Sequence, residues 1–243
     1  MQTYKHTEFN EPFHNLTEDT TFIDCRFIGI HGDGVVCNGS TVIFKNCVFD
    51  NTGIEPADSD EAITLIKGAK VTVENCYFKH WGKGILVSNG DWAEDIEKDN
   101  CLNLSNTTFE ECGRRHPYIR YGTANIKNCT FKNWGIPGTY ELKGNGIRVG
   151  MGAVVNIEDC KFIQEKFTWS FSDIIHQFDP ADTYKLDKYS KWYKLQVMKV
   201  ILLHPFETFK QCLPGTCKGL MTESTGKVNS KNCKKTKWWI WLD

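Results

Sequence analysis

One segment holds residue types that could bind or react with a ligand: two arginines on either side of a proline. Arg115, Pro117 and Arg120 give the pattern Arg-x-Pro-x-x-Arg within residues 113–134. In an extended strand this offset separates the two side chains, but a turn bent at the proline lets them converge. Two fixed positive charges repel unless an anion joins them, and arginine forks suit carboxylates. The pattern predicts an acidic ligand; the alternative is a solvated turn with two unrelated arginines.

Acidic residues cluster around two predicted loop insertions, residues 51–60 and 89–100. If the chain is coiled, carboxylates from neighbouring coils would lie close together, and Lys83 and Arg115 would lie along the same face. Such a group is either a calcium site with oxygen ligands or a solvated acidic edge, and the spacing leaves both open. The acidic residues concerned are Asp33, Asp58, Asp60, Glu61 and Asp91.

A short word, [Asp/Asn]-[Cys/Thr]-x-Phe, recurs six times. The copies follow alternating strand patterns, and Asn and Asp readily adopt the left-handed turn conformation. The shortest repeat is 22 residues, and longer repeats are explained by insertions on one side. This is typical of a coiled stack of parallel strands, so we predict an all-β solenoid of about six coils. The copies begin at Asp24, Asn46, Asn75, Asn106, Asn128 and Asp159.

The Cys and Phe of each word are predicted to point inward, above the same residue of the coil below. The cysteines of the words therefore form a predicted ladder of free thiols, buried like small apolar residues. Paired disulfides or a metal site remain the alternative, although the CxxC spacing of a zinc site is missing from the sequence. The ladder consists of Cys25, Cys47, Cys76, Cys129 and Cys160.

A second, glycine-containing word precedes other apolar segments and is predicted to begin another sheet of the coil. Its copies are Asp33-Gly34-Val35, Gly82-Lys83-Gly84-Ile85 and Gly144-Asn145-Gly146-Ile147.

Composition is ordinary for a soluble protein with one sizeable core: 243 residues, 40% of them hydrophobic and 24% charged. No run approaches the roughly 18 apolar residues that span a bilayer. The polar start, residues 1–12, lacks the features of a signal peptide. We therefore expect an intracellular chain, a processed one, or one that lacks its beginning.

Charge divides the chain at about residue 165. Residues 166–243 hold thirteen lysines, no arginine and seven acidic residues, so they are basic and the part before them is acidic. The repeat also stops there, which predicts two regions: a solenoid over residues 1–165 and a Trp-rich extension that either caps the stack or is poorly ordered. An acidic body that binds an acidic ligand needs a bridging cation.

Residues 31–163 resemble the pectate lyases of polysaccharide lyase family one. Four stretches match in order: DGVVCNGSTVIFKNC, VTVENCYFKHWGKGILVSNGD, RRHPYIRYGTANIKNCTFKNW and GIRVGMGAVVNIEDCKF. The middle two are the most specific. The resemblance implies a right-handed parallel β-helix and a secreted protein. Members of the family usually have a longer N-terminal part, so this chain looks truncated or divergent.

The resemblance also implies roles for individual residues. Arg115 falls on the arginine that acts as the base in β-elimination. Arg120 falls on the arginine that binds substrate, and Lys83 on the lysine that contacts the uronate carboxylate. Asp33 and Asp60 match two acids that bind Ca²⁺.

Two departures from the family pattern bear on the calcium site. The third family acid, four residues past Asp60, is Thr64 here, and the family's Trp-x-Asp-His segment reads Ile43-Phe44-Lys45-Asn46. Asp58 or Glu61 could take the place of the missing acid.

The resemblance implies a calcium-dependent pectate lyase that acts on polygalacturonate. Its partner would be an acidic polysaccharide, and we expect no nucleic acid, no membrane and a monomer. Two alternatives stay open: a β-helix that binds acidic polysaccharide without cleaving it, and a structural or adhesion solenoid with a relic site.

Overall fold

The chain winds into a stack of parallel coils, and each coil adds one strand to each of three sheets. This computed structural model describes residues 1–56, 58–88, 98–135, 145–150, 152–165, 195, 198–199, 202–203, 205, 217–222, 226–236 and 240–242. The predicted all-β architecture of stacked parallel strands is confirmed.

The strands follow one another around the coil in a fixed order of sheets. The first sheet contains β1 (Gln2–Lys5), β4 (Thr20–Ile23), β7 (Thr41–Lys45), β10 (Lys70–Glu74), β13 (Cys101–Ser105), β16 (Thr123–Lys127), β19 (Val154–Glu158) and β22 (Lys227–Lys231). The second contains β2 (Glu8–Phe9), β5 (Arg26–Ile28), β8 (Val48–Asp50), β11 (Tyr77–Lys79), β14 (Thr108–Glu110), β17 (Thr130–Lys132), β20 (Lys161–Ile163) and β23 (Lys234–Lys235). The third contains β3 (Phe13–Leu16), β6 (Val35–Asn38), β9 (Glu61–Ile66), β12 (Lys83–Val87), β15 (Tyr118–Ile119), β18 (Ile147–Val149), β21 (Cys217–Thr222) and β24 (Ile240–Leu242).

Each sheet has eight described strands, so the stack is longer than the predicted six coils. The two additional coils carry altered forms of the word. In the first coil His6 replaces Asn, and in the last coil Lys235 replaces Phe. His6 and Asn232 nevertheless have φ values of 51° and 55°, the same turn conformation as in the other words. The predicted division at residue 165 stays a prediction, but β21–β24 extend the same three sheets.

The turn from the first to the second sheet is made by the Asn or Asp of the word. Asn75 and Asn128 both have a φ of 54°, in the left-handed region that these residues adopt most easily. Their side chains also bond from coil to coil: Asn128 Nδ2 donates to Asn106 Oδ1 at 2.7 Å. The predicted turn is therefore confirmed, and the amides add a ladder of their own along the stack.

The core consists of columns of like residues. Phenylalanine rings of consecutive words stack nearly parallel, with 4.4 Å between the ring centroids of Phe49 and Phe78. The five cysteines of the predicted ladder are buried and free. The prediction of buried thiols rather than disulfides is confirmed for them.

Six described residues between positions 195 and 205 are helical: Leu195, Met198, Lys199, Leu202, Leu203 and Pro205. In the part of the chain that the structure describes, no helix is both long and apolar enough to cross a membrane.

We expect Asn128→Ala to lower the free energy of unfolding by about 2 kcal/mol, because it loses the amide hydrogen bond and because alanine adopts the left-handed region less easily than asparagine does. Asn128→Gly keeps the turn conformation available and should lose only about half as much. Urea unfolding followed by circular dichroism measures both. Equal losses in the two variants would show that the turn conformation contributes nothing.

Candidate active site

The predicted site residues meet along the third sheet, on four successive coils. Asp33 and Asp60 precede β6 and β9, Lys83 begins β12, and Arg115 and Arg120 lie on either side of β15. Glu61 in β9 lies opposite Lys83 in β12, and Lys83 bridges in turn to Arg114 on the next coil. Asp60 precedes Glu61, and its main-chain carbonyl accepts a hydrogen bond from the N–H of Lys83 at 3.2 Å. The repeat therefore brings acids from one pair of coils beside cations from the next pair.

A buried carboxylate joins the two predicted functional cations. One oxygen of Glu61, Oε1, contacts Nη1 of Arg115, and the other, Oε2, lies 3.6 Å from Nζ of Lys83. Lys83 Nζ also contacts Oδ1 of Asp60. The side chain of Glu61 is only 5% exposed, against 13% for Arg115 and 19% for Lys83. The two pairs of Glu61 are thus shielded from water, and charge interactions are stronger in such a place than at the surface. Asp60 is 45% exposed.

Three carboxylates lie close enough to hold one cation. Asp33, Asp60 and Glu61 each offer an oxygen, and these oxygens lie within 4.8 Å of one another. Oδ1 of Asp33 also accepts a hydrogen bond from the main-chain N–H of Glu61 at 3.2 Å. A set made only of oxygen donors fits a hard cation such as Ca²⁺. The binding of Ca²⁺ by Asp33 and Asp60 stays a prediction, and the geometry favours Glu61 over Asp58 as the third acid.

Thr64, at the position of the family's third acid, is not part of this group. It lies further along β9, opposite Leu86, and is buried. Its hydroxyl has no hydrogen-bond partner among the described residues. The predicted acid Asp91 lies outside the described residues.

Arg115 and Arg120 converge, as the proline pattern predicts. Their guanidinium carbons lie 5.5 and 5.2 Å from the centre of the Tyr118 ring, and that of Arg148 lies 4.6 Å from it. Cations within about 6 Å of an aromatic ring are attracted by the negative face of the ring. Three guanidinium groups thus surround one tyrosine beside the acidic cluster. The substrate-binding role of Arg120 stays a prediction.

Gly84 allows the Arg115 segment to pack directly on the coil below it. A β-carbon at Gly84 would lie 2.8 Å from the carbonyl oxygen of Arg115 and 2.8 Å from Cδ2 of His116, closer than real contacts. The main-chain N–H of Ile85 donates to the same carbonyl at 2.7 Å. The glycine of the second word therefore sets the height of Arg115 above Lys83.

Burial and mutual repulsion move the pKa values of the cations in one direction. Burial, with the guanidinium groups of Arg115 and Arg114, lowers the pKa of Lys83 to about 7. Burial also lowers the pKa of Arg115; Arg120 acts in the same direction, while Glu61 opposes it. Burial raises the pKa of Glu61, against the effect of Arg115. Burial thus disfavours the charged form of each of these groups, and only neighbours of opposite charge favour it.

The structure adds residues that the sequence did not single out. Arg148 stands opposite Tyr118 in the third sheet, and Arg114 is only 7% exposed and lies next to Lys83. Arg148 follows the third copy of the second word, Gly144-Asn145-Gly146-Ile147, so the repeat pattern already placed it in the third sheet. The contact of Glu61 with Arg115 crosses 54 residues and had no local signal.

His116 is fully buried directly beside Arg115. Its Nδ1 lies 3.1 Å from the carbonyl oxygen of Asn145, and its ring packs against Phe109 with 5.7 Å between centroids. Burial lowers the pKa of His116 to about 3. The imidazole is therefore neutral in the folded protein over most of the pH range.

A neutral buried histidine predicts acid sensitivity. The pKa of His116 is about 6.5 in the unfolded chain and about 3 in the folded chain. Between these pH values only the unfolded chain binds the proton, so the free energy of unfolding falls as the pH drops. Between pH 7 and pH 4 this single group should contribute a loss of about 3 kcal/mol. His116→Asn keeps a donor near Asn145 and removes the titration. We expect the variant to lose about that much less stability over the same pH range in urea unfolding; an identical loss in both proteins would contradict the assignment.

Comparison with known proteins agrees with this architecture. The family whose sequence profile matches residues 13–169 is described as a right handed beta helix region. Among solved structures, a mutant of Bacillus subtilis pectate lyase is similar, with a TM-score of 0.57 and 11% identity, over 96% of this chain and 54% of that one. A pectate lyase bound to a hexasaccharide has a TM-score of 0.56 and 10% identity, with the same coverage. A polygalacturonate lyase fused with a self-assembling amphipathic peptide has a TM-score of 0.58 and 10% identity.

These likenesses concern the fold, and the chain spans about half the length of the solved structures it matches. A comparison with curated proteins gives no match.

Proposed function

We propose that this chain is a polysaccharide lyase that cleaves polygalacturonate by Ca²⁺-assisted β-elimination. The chain belongs to the family described as a right handed beta helix region. The observation that carries the proposal is the meeting of Lys83 and Arg115 with three carboxylates on one side of the third sheet. The likeness of the fold to pectate lyases supports it. Secretion stays a prediction from the resemblance.

Binding of a uronate follows from the charges of the site. Lys83 and Arg120 are the donors for its carboxylate, and Arg148 adds a third positive charge beside Tyr118. Arginine forks hold a carboxylate in a fixed orientation, which sets the ring hydrogen at C5 relative to Arg115. Asp33, Asp60 and Glu61 would hold the Ca²⁺, which supplies positive charge that stabilises the carboxylate of the substrate as negative charge develops on it.

Arg115 is the group proposed to take the C5 proton. The electrons of that C–H bond form the double bond between C5 and C4. The bond from C4 to its oxygen breaks with its electron pair on the oxygen, which takes up a proton from water and leaves as a hydroxyl, so that the sugar that loses the proton becomes unsaturated. A guanidinium is normally protonated, so the base requires a local field that favours the neutral form. Burial and the neighbouring charges of Arg120 and Arg148 provide that field, and Glu61 opposes it.

A second candidate, a β-helix that binds acidic polysaccharide without cleaving it, is favoured by one specific observation. Glu61 contacts Arg115 directly, and a carboxylate in that position stabilises the protonated guanidinium. A permanently charged Arg115 would bind an acidic sugar but would not accept its proton.

Activity is measured through the ultraviolet absorbance of the unsaturated uronate product. With polygalacturonate, absorbance should rise in Ca²⁺ and stay flat in chelator, and Arg115→Lys should lower the rate at least about a hundredfold, because the lysine keeps the charge but not the position of the base. Arg26→Lys is the matched control, since Arg26 pairs with Glu8 on the surface. If the folded protein binds the polymer but gives no absorbance in any buffer, the binding module replaces the lyase.

The cation site is tested separately through stability. Ca²⁺ at a hundred times its dissociation constant should raise the free energy of unfolding by about 2.7 kcal/mol, because only the folded chain brings the three acids together. Asp33→Asn should reduce this gain. Glu110→Gln, which removes a partner of Lys132 in the second sheet, should keep it. An equal gain in the wild type and in Asp33→Asn would place the cation elsewhere.

A further inference from the structure

Glu61 is in contact with both of the cations that the proposed reaction requires. Its two carboxylate oxygens face different partners, Arg115 at Oε1 and Lys83 at Oε2. In this arrangement the carboxylate of the protein takes the place that an acidic ligand would take between the two positive groups. The side chain of Glu61 is only 5% exposed, so water does not weaken its ion pairs with Arg115 and Lys83.

The same carboxylate belongs to the group of three acids that fits a cation. Glu61, Asp33 and Asp60 offer oxygens within 4.8 Å of one another, and Lys83 Nζ already contacts Asp60. A divalent cation among these oxygens would stand within a few ångströms of Nζ, and two positive charges at that distance repel each other in this partly buried site. Lys83 and the cation therefore compete for the same oxygens.

We propose that Glu61 is a positioning residue that couples cation binding to the release of Lys83 and Arg115. Without a divalent cation, its carboxylate holds both side chains. When a cation binds together with Asp33 and Asp60, Glu61 turns its oxygens to the cation, and the two positive side chains become available to an anion. The proposal rests on the proposed function for the cation site and for the uronate carboxylate as that anion.

Asp33 provides the matched comparison within the cluster. It offers an oxygen to the cation, but the hydrogen bond described for it is with the main-chain N–H of Glu61 rather than with Lys83 or Arg115. Removing the charge of Asp33 should weaken cation binding and leave the Glu61 pairs intact. Removing the charge of Glu61 should weaken cation binding and also open the pairs.

The primary test follows Arg115 itself and needs no polysaccharide. The arginine reagent phenylglyoxal is applied to the full chain with chelator or with Ca²⁺, and the modification of Arg115 is followed over time by peptide mass. In the wild type, Ca²⁺ should accelerate modification about tenfold, since a close buried charge pair is worth at least that factor. In Glu61→Gln the modification should be fast in both buffers, and in Asp33→Asn it should be slow in both.

Circular dichroism and the unchanged modification rate of surface Arg26 verify that the variants are folded and equally treated. An unchanged rate in Glu61→Gln with chelator, relative to the wild type, would overturn the proposal. So would a Ca²⁺ effect in the wild type that persists in Glu61→Gln.

Calorimetry with trigalacturonate then separates this proposal from the proposed function. In chelator, Glu61→Gln should bind trigalacturonate about tenfold more tightly than the wild type, while the control Glu110→Gln in the second sheet should not differ from it. If Arg115 responds to Ca²⁺ as expected but no protein binds the trisaccharide, the coupling stands and the substrate class falls. If trigalacturonate binds equally to all three proteins in chelator, Glu61 does not block the site and the coupling falls.

Discussion

The hydrogen bonds between parallel strands determine nearly everything else in this protein. Each coil bonds to the next through its main chain, so equivalent residues must lie directly above one another. Apolar and amide side chains gain from such stacking, and the phenylalanine, cysteine and asparagine columns follow. Charged side chains of one sign would repel in the same arrangement. The structure places Glu61, Lys83 and Arg114 in one register column, so an acid meets Lys83 on one side, while Arg114 on the other side repels it and helps to lower its pKa.

This change of charge along one column distinguishes the site from the rest of the third sheet. Two residues further along the same strands, Ile63 and Ile85 lie opposite each other and are buried. Buried charges are stable only when each has a partner. Glu61 and Lys83 satisfy each other in the absence of a ligand, and that is also why a cation or an anionic sugar must compete with an existing contact. Stability and ligand binding therefore depend on the same few oxygens.

The arginines around Tyr118 extend the positive charge away from the acids. Arg120 and Arg148 come from successive coils and share one ring with Arg115. Their charges help to lower the pKa of Arg115, whereas Glu61 raises it. Whether Arg115 works as a base or only as an anion-binding group thus depends on which neighbour dominates. This chain shares its fold with pectate lyases at 10–11% identity. The fold does not determine the pKa of Arg115, which depends on a few neighbouring side chains.

The sequence by itself determined the fold, because the turn residue, the inward cysteine and the stacked phenylalanine are local requirements repeated in every word. It also indicated the convergence of Arg115 with Arg120, since the proline acts within one turn. The repeat pattern did not reveal the first and last coils, because His6 stands where the word has Asn or Asp and Lys235 stands where it has Phe. Only the tertiary structure decided that Glu61 meets Arg115 and that Arg148 meets Tyr118. Those contacts depend on the register between coils and on the lengths of the insertions, which no short pattern specifies.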